Sequence, residues 1–235
     1  MGEQIEFLWR HLPHFLIGFP SQRPGGLLLS VLLAAVAFAV GAVVAVPIGL
    51  GHHARFGLVR FLARRWVGLF RGIPLLVLLV LIHQFVGAGR VPGIETSTLG
   101  SAFLALALYS SAYVGDIVTA GVSAVPQQLL DDARLLGAGR ATLTRTVTLP
   151  YSLRVMRPAL TTQAITIFKD SSVVVILGVA DLTTTARIAL GGDVGNAPFW
   201  VSTYLFVGFL YFVVAFGLAR IVRRFEVRQD GRAIL

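Results

Sequence analysis

The stretch PGGLLLSVLLAAVAFAVGAVVAVPIGLG, residues 24–51, indicates the class of fold because it carries no charge over its whole length. A helix of roughly 20 mostly apolar residues is long enough to cross the hydrocarbon core of a bilayer. Small residues recur in this stretch at helical spacing, and such residues let transmembrane helices pack closely; they are Ala34, Ala37, Gly41 and Ala45. The stretch therefore predicts a transmembrane helix that packs against other helices.

The composition of the whole chain agrees with a membrane environment. Of the 235 residues, 56% are hydrophobic and 13% are charged, and the mean hydropathy is +0.80. A soluble protein carries about 25% charged residues, because its surface has to meet water. A soluble enzyme, a disordered scaffold and a nucleic-acid-binding module are therefore poor fits, despite the net charge of +9. The absence of cysteine excludes disulfides and thiolate metal ligands.

Four further stretches are long and apolar enough to predict membrane spans, namely Trp66–Val86, Thr96–Ala120, Leu153–Val179 and Ala197–Ala219. The N-terminal stretch Ile5–Phe19 is interrupted by Arg10, His11 and Pro13. It is better explained as an amphipathic helix at the membrane interface than as another span. The chain is thus predicted to be an all-α integral membrane protein with five core transmembrane helices.

The arginines alternate between rich and poor loops. The first loop, the third loop and the C-terminal tail are rich in arginine, whereas the second loop has only Arg90 and the fourth only Arg187. Cytoplasmic loops carry an excess of Lys and Arg. This pattern predicts an extracytoplasmic N-terminal segment (1–23), one transmembrane domain (24–224) and a cytoplasmic tail (225–235), with the N-terminus outside and the C-terminus inside.

The third loop, residues 125–150, is unusually long for a connection between helices. Its composition predicts a helix over Gln127–Leu136 with Gly137 as its C-cap. It also predicts a second short helix over Arg140–Thr148, which Pro150 would stop. The arginines of the loop fit two interpretations, a helix lying on anionic headgroups or a docking element for a cytoplasmic partner, and composition alone does not separate them.

Specific residues of this loop resemble the EAA loop of ABC importer permeases, although Asp131 and Asp132 stand where that loop has Glu and Ala. Three other blocks are similar to motifs of the polar amino-acid permease subfamily, and they occur in the same order and spacing. They are FRGIPLL at residues 70–76, AYVGDIV at residues 112–118 and KDSSV at residues 169–173. The chain resembles this family from about Gly25 to Arg224.

The resemblance implies the type I ABC importer (EAA-loop) permease fold in a bacterial plasma (inner) membrane. It implies a second permease chain, the same or related, and two ABC ATPase subunits that bind ATP and Mg, so that this chain holds no cofactor and is not itself an enzyme. It also implies an extracytoplasmic substrate-binding protein that delivers an amino acid. By the same resemblance, the residues that couple the chain to the ATPase are Asp131, Asp132, Ala133, Gly137, Leu149 and Pro150.

Ionisable groups within predicted spans are candidates for a substrate pathway or gate, because charge is costly inside a bilayer. These are Arg71, Asp116, Lys169 and Asp170, and Gln163 and Ser171 add hydrogen-bonding groups. Other interpretations stay open: Arg71 as a side chain that reaches to headgroups, Asp116 as the partner of a nearby arginine, and Lys169 and Asp170 as a structural pairing. The position of Lys169 within its span predicts that it lies deep in the protein.

An alternative function is that of a secondary transporter or channel for small polar solutes that works without an ATPase. Such transporters contain repeats with interrupted helices in matching halves, and the chain shows no such repeat. The chain also lacks a P-loop, since Lys169 is its only lysine and no glycine occurs in residues 161–168. ATP hydrolysis by a partner, and not by this chain, is therefore the expectation.

Overall fold

The computed structural model of the protein describes residues 2–90 and 96–230, with side chains except at residues 194 and 222–230. No β-strand occurs within these ranges. Short 3₁₀-helical turns lie at Pro20–Gln22, Ser171–Leu177 and Val194–Phe199, and π-helical turns at His83–Gly87 and Leu143–Thr148. The α-helices are α1 (Gly2–Ile17), α2 (Gly26–Gly51), α3 (Gly57–Gly72), α4 (Leu75–Ile82), α5 (Thr98–Ser123), α6 (Gln127–Leu135), α7 (Arg140–Thr142), α8 (Leu149–Asp170), α9 (Leu182–Gly191) and α10 (Trp200–Asp230).

Four helical segments of the described chain are long and apolar enough to cross a membrane, namely Gly26–Gly51, Thr98–Ser123, Arg140–Leu177 and Gly195–Ile221. A fifth candidate is a pair of helices, Gly57–Gly72 and Leu75–Gly87, which qualify only together and bend by 103° at their break. Four of the five predicted spans are thus found as continuous helical segments. The all-α membrane class is confirmed.

The second predicted span, Trp66–Val86, is wrong as a continuous helix. Helix α3 begins earlier, at Gly57, and ends at Gly72, and the backbone of Ile73 and Pro74 is extended. Proline disfavours helical backbone in the residue that precedes it, and its ring removes the N–H that would continue the ladder. The hydropathy pattern alone did not reveal this break, because α3 and α4 follow each other without a polar loop.

The chain forms two compact units. Among the described residues, unit 1 comprises 2–37, 74–90, 96–106 and 164–230, and unit 2 comprises 38–73 and 107–163. In unit 1, Phe7 and Phe15 of α1 are buried against Leu182 and Ala186 of α9 and Val207 of α10. The predicted N-terminal amphipathic segment is therefore a helix whose apolar face packs on α9 and α10. Burial of these two phenylalanines holds α1 to the unit.

Unit 1 also contains a close backbone contact that requires glycine. The N–H of Gly26 donates to the carbonyl of Ala180 at 2.8 Å, and the φ of Gly26 is +60°. A Cβ at this position would lie 2.4 Å from the carbonyl oxygen of Phe15. The start of α2 thus lies directly against the end of α1. Both the left-handed backbone and the lack of space exclude a larger residue at Gly26.

Unit 2 is built on close packing of α2, α5 and α8. Ala45, Val114, Val118 and Met156 form its core. A Cβ on Gly41 would lie 2.7 Å from the Cβ of Ser110, which shows how closely the backbones approach. The predicted role of the small residues of α2 in helix packing is confirmed at Gly41 and Ala45.

Candidate functional site

Helix α6, in the third loop, projects an exposed surface. None of its side chains is buried. Leu135 at its end is 87% exposed, and Leu136, which follows, is 89% exposed. Asp131 is bound within the helix, since its Oδ1 accepts hydrogen bonds from Arg134 Nη1 at 2.6 Å and Gln127 Nε2 at 3.0 Å. A short helix of this kind gains little stability from its own hydrogen bonds, and its exposed leucines lie beside charged groups.

Gly137 ends α6 as the sequence predicts. Its φ is +81°, its N–H donates to the carbonyl of Arg134 at 2.9 Å, and the N–H of Ala138 donates to the carbonyl of Ala133 at 3.0 Å. These two bonds form a Schellman motif, which pairs carbonyls that the helix end would leave free. Ala133 and Gly137 thus shape the turn that follows the exposed helix.

The predicted stop at Leu149-Pro150 is wrong. The chain is helical from Arg140 through Asp170, with a π-helical turn at Leu143–Thr148 immediately before Leu149. In this wider turn the N–H of Leu149 donates to the carbonyl of Thr144. Proline is tolerated where the regular hydrogen-bond pattern is already interrupted, because less is lost by its missing N–H. Leu149 and Pro150 therefore lie at the start of α8 and do not terminate a separate helix.

The structure joins two of the candidate charges in unit 2. Arg71 Nη1, at the end of α3, lies 2.5 Å from Asp116 Oδ2 of α5, and the guanidinium carbon lies 5.1 Å from the centre of the Tyr113 ring. The two charged side chains are 41% and 47% exposed. The interpretation of Asp116 as the partner of a nearby arginine is therefore confirmed, and that arginine is Arg71.

Gln163 of α8 is buried in unit 2, and its Nε2 has no hydrogen-bond partner among the described residues. Buried amide groups are nearly always paired. An unpaired donor of this kind is open to a polar ligand or to water.

Lys169, Asp170 and Ser171 lie in unit 1 and do not form the structural pairing considered above. Ser171 is fully buried and donates to the carbonyl of Phe168 at 2.7 Å. Lys169 is exposed, which corrects its predicted depth. Successive residues of a helix point in different directions, and burial of Ile167 and Phe168 turns Lys169 outward. Neither Lys169 nor Asp170 forms an ion pair with another residue in the described part of the chain.

Unit 1 also contains a buried polar cluster around Asp181, which was not predicted from the sequence. Asp181 caps α9, since its carboxylate accepts from the N–H groups of Thr183 at 3.2 Å and Thr184 at 2.8 Å. The hydroxyl of Tyr211 donates to the same carboxylate at 3.3 Å, and Ser30 Oγ accepts from the N–H of Leu182 at 3.1 Å. The run Asp181-Leu-Thr-Thr-Thr contains an N-cap signal, but the contacts with Ser30 and Tyr211 depend on tertiary packing.

Burial raises the pKa of Asp181, and the hydrogen bonds from Thr184 and Thr183 oppose that increase. The folded state then binds a proton more readily than the unfolded state, where the carboxyl has its ordinary pKa of 3.8. The contribution of this group to stability is complete below pH 3.8 and is lost as the pH rises through the raised pKa.

Asp181→Asn is therefore expected to remove one component of the pH dependence of unfolding. In detergent, the Tm of the unchanged protein should fall relative to that of Asp181→Asn as the pH is raised from 3.8. Asp181→Ala also removes the cap, which typically costs about 1 kcal/mol, and its Tm should be lower at every pH. Parallel pH profiles for the unchanged protein and Asp181→Asn would contradict the assignment.

The apolar helices and the close glycine contacts between them define an all-helical integral membrane protein, from which helix α6 is left exposed. The sequence model of the family described as "Binding-protein-dependent transport system inner membrane component" matches residues 37–230. The chain belongs to this family, and it is an inner-membrane protein.

Two relatives illustrate the similarity. The chain is 29% identical over 211 residues to the inner membrane amino-acid ABC transporter permease protein YhdY of Escherichia coli (strain K12), covering 88% of this chain and 57% of that protein. It therefore spans little more than half the length of that relative. It is 28% identical over 207 residues to the glutamate/aspartate import permease protein GltK of Escherichia coli O6:H1, covering 84% and 88% of the two chains.

Solved structures agree on the fold. A crystal structure of an amino acid ABC transporter with histidines matches with a TM-score of 0.80 and 28% identity, covering 94% of this chain and 96% of that one. An inward-facing structure of the MetNI methionine ABC transporter matches with a TM-score of 0.69 over 92% and 97% of the two chains, at 21% identity. The second likeness concerns the fold alone. The predicted type I ABC importer permease fold is confirmed.

Proposed function

We propose that the chain is the permease subunit of an ATP-driven, binding-protein-dependent importer of polar amino acids. The observation that carries this proposal is the exposed helix α6 with its leucines and its Gly137 turn. Exposed leucines and charged side chains on a marginal helix suit a docking element for a cytoplasmic partner. Membership of the family supports the proposal, and so do the names of the two bacterial relatives, which specify amino acids.

In this proposal α6 docks on a separate ATPase that binds ATP and Mg, and this chain hydrolyses no nucleotide. Leu135 and Leu136 supply apolar contact area, and Asp131 and Asp132 supply charge at the same helix. A second permease chain completes the pathway within the membrane, and an extracytoplasmic binding protein delivers the substrate. Closure of the ATPase dimer opens the pathway outward, and hydrolysis followed by release returns it to the inward-open state.

The polar groups of unit 2 suit an amino-acid zwitterion. Arg71 offers a guanidinium to a carboxylate, and Asp116 offers a carboxylate to an ammonium group. The two side chains are already paired with each other and are half exposed. A bound zwitterion would replace this pairing with two new ion pairs, so that neither side chain would lack a counter-charge. Gln163 adds its unpaired amide. We assign these residues, and Lys169, Asp170 and Ser171 of unit 1, to the substrate pathway or gate.

Reconstitution tests the proposal. Liposomes that contain the permease, its ATPase and the binding protein should accumulate labelled amino acid only when ATP is enclosed with the ATPase. Lys169→Met, which removes the charge but keeps the length, should lower both uptake and substrate-stimulated hydrolysis in an assembled complex. Uptake by the permease in the absence of an ATPase would contradict the proposal and favour the alternative of a secondary transporter or channel.

The arginine distribution also predicts the orientation in the membrane, with the N-terminus outside and the C-terminus inside. Because the chain has no cysteine, single cysteines report without background. In spheroplasts, whose plasma membrane is intact and directly accessible, an impermeant thiol reagent should label Gly2→Cys and should not label Ala233→Cys. Labelling of the second variant alone would show that the orientation is reversed.

A further inference from the structure

Helix α3 has a composition that differs from that of the other long helices. It carries Arg60, Arg64, Arg65 and Arg71 and no acidic residue. It buries only Ala63 and Val67. A helix with an arginine on nearly every turn is costly in the hydrocarbon core but stable at the level of the headgroups, where its apolar side chains enter the lipid.

The contacts of α3 within unit 2 place it against the last residue of α2 and across the second half of α5, where Trp66 Nε1 donates to Ser111 Oγ at 3.0 Å. A Cβ on Gly51, the last residue of α2, would lie 3.2 Å from the Cβ of Ala63. A Cβ on Gly115, two turns before the end of α5, would lie 3.7 Å from Val67 Cγ2. Gly51 ends α2, and Gly115 lies in the half of α5 from which the chain continues into α6. Helix α3 therefore lies in the half of unit 2 from which α6 begins.

One face of α3 forms an open surface groove, which is lined by Phe61, Arg64, Arg65, Gly68 and Leu69. The guanidinium carbon of Arg65 lies 4.9 Å from the centre of the Phe61 ring. Gly68 leaves the floor of the groove open, since a Cβ there would have no neighbouring atom within 4 Å. In the described part of the chain, neither Arg64 nor Arg65 forms an ion pair with a carboxylate.

We infer that this groove binds the headgroup of an anionic phospholipid. Two unpaired guanidinium groups complement a phosphate diester, to which arginine donates paired hydrogen bonds. Phe61 and Leu69 are exposed beside them and provide apolar contact for the glycerol and the first acyl carbons. A soluble anion would make no use of these apolar flanks, and the contact of α3 with the last residue of α2 favours a lipid of the surrounding leaflet.

The test is a titration of the purified full-length permease, together with its ATPase, with phosphatidylglycerol in detergent, followed by native mass spectrometry. Arg64→Gln and Arg65→Gln should each weaken binding about fivefold. Gly68→Phe should weaken it at least as much, because the new ring occupies the groove. Its Tm should not fall, since the position is open and glycine is a poor helix former.

Arg60→Gln is the matched control, because it removes the same charge from the same helix but lies outside the groove. It should change the affinity by less than about twofold. The inference is overturned if Arg60→Gln weakens binding as much as Arg64→Gln. Binding would then depend on the total positive charge of α3 and not on the groove. Equal binding of phosphatidylcholine, or displacement of the lipid by equimolar glycerol phosphate, would also overturn it. None of these outcomes depends on transport activity.

Discussion

Gly137→Val is expected to leave the permease inserted in the membrane while reducing ATPase copurification, or hydrolysis stimulated by loaded binding protein, by at least about tenfold. Valine is strongly disfavoured at a φ of +81°, so the Schellman turn would reopen and α6 would lose its defined end. The surroundings of Gly137 are empty, so the backbone and not a clash is the cause. The measurement is copurification with the ATPase, followed by stimulated hydrolysis in the reconstituted complex.

The chain offers a matched control for this substitution. Gly139 lies two residues further on, is equally free of neighbours and has a φ of −69°. Valine fits that backbone, so the Gly139→Val permease should couple normally to the ATPase.

Asp131→Arg should resemble Gly137→Val, because it breaks the contacts with Gln127 and Arg134 and places a like charge beside Arg134. Asp131→Glu should retain most of the coupling. Normal copurification and stimulation in both Gly137→Val and Asp131→Arg would reject the docking role of α6.

Arg71→Ala and Asp116→Ala are each expected to reduce amino-acid uptake by at least about tenfold. Each substitution leaves the other charge without its partner and removes one group that complements a zwitterionic substrate. Half-exposed pairs contribute about 0–1 kcal/mol to stability in water, so the loss should fall mainly on uptake and only slightly on Tm. Uptake by reconstituted complexes and thermal unfolding of the same preparations measure the two effects.

The exchanged double variant, Arg71→Asp with Asp116→Arg, separates a substrate contact from a structural latch. It restores an ion pair between α3 and α5 but reverses the positions of the two charges. If the pair contacts substrate, the double variant should recover stability without recovering uptake. Full recovery of uptake would show that only the pairing matters and would remove these residues from the pathway. Arg60→Gln serves as a control for loss of an arginine from α3.

Several helices and helix ends could be predicted from the sequence, because they depend only on a residue and its neighbours in the chain. The uncharged stretch of residues 24–51 predicted α2 through its length and apolarity alone. Gly137 was predicted as a helix end because a left-handed C-cap depends on the residue type and its immediate neighbours. By contrast, Ile73-Pro74 divided the second span and Pro150 did not stop a helix. The effect of a proline depends on whether the surrounding turns offer another hydrogen-bonding pattern.

The amino-acid sequence alone was sufficient for the all-helical membrane class, four of the five spans and the helix at residues 127–135, since each depends on composition or short-range spacing. Tertiary structure was needed to pair Arg71 with Asp116, to turn Lys169 outward and to bring Tyr211 to Asp181. These arrangements depend on which helix faces meet. Helices distant in the chain meet through side-chain shape and small-residue contacts, such as that of Gly41 with Ser110, which no local pattern specifies.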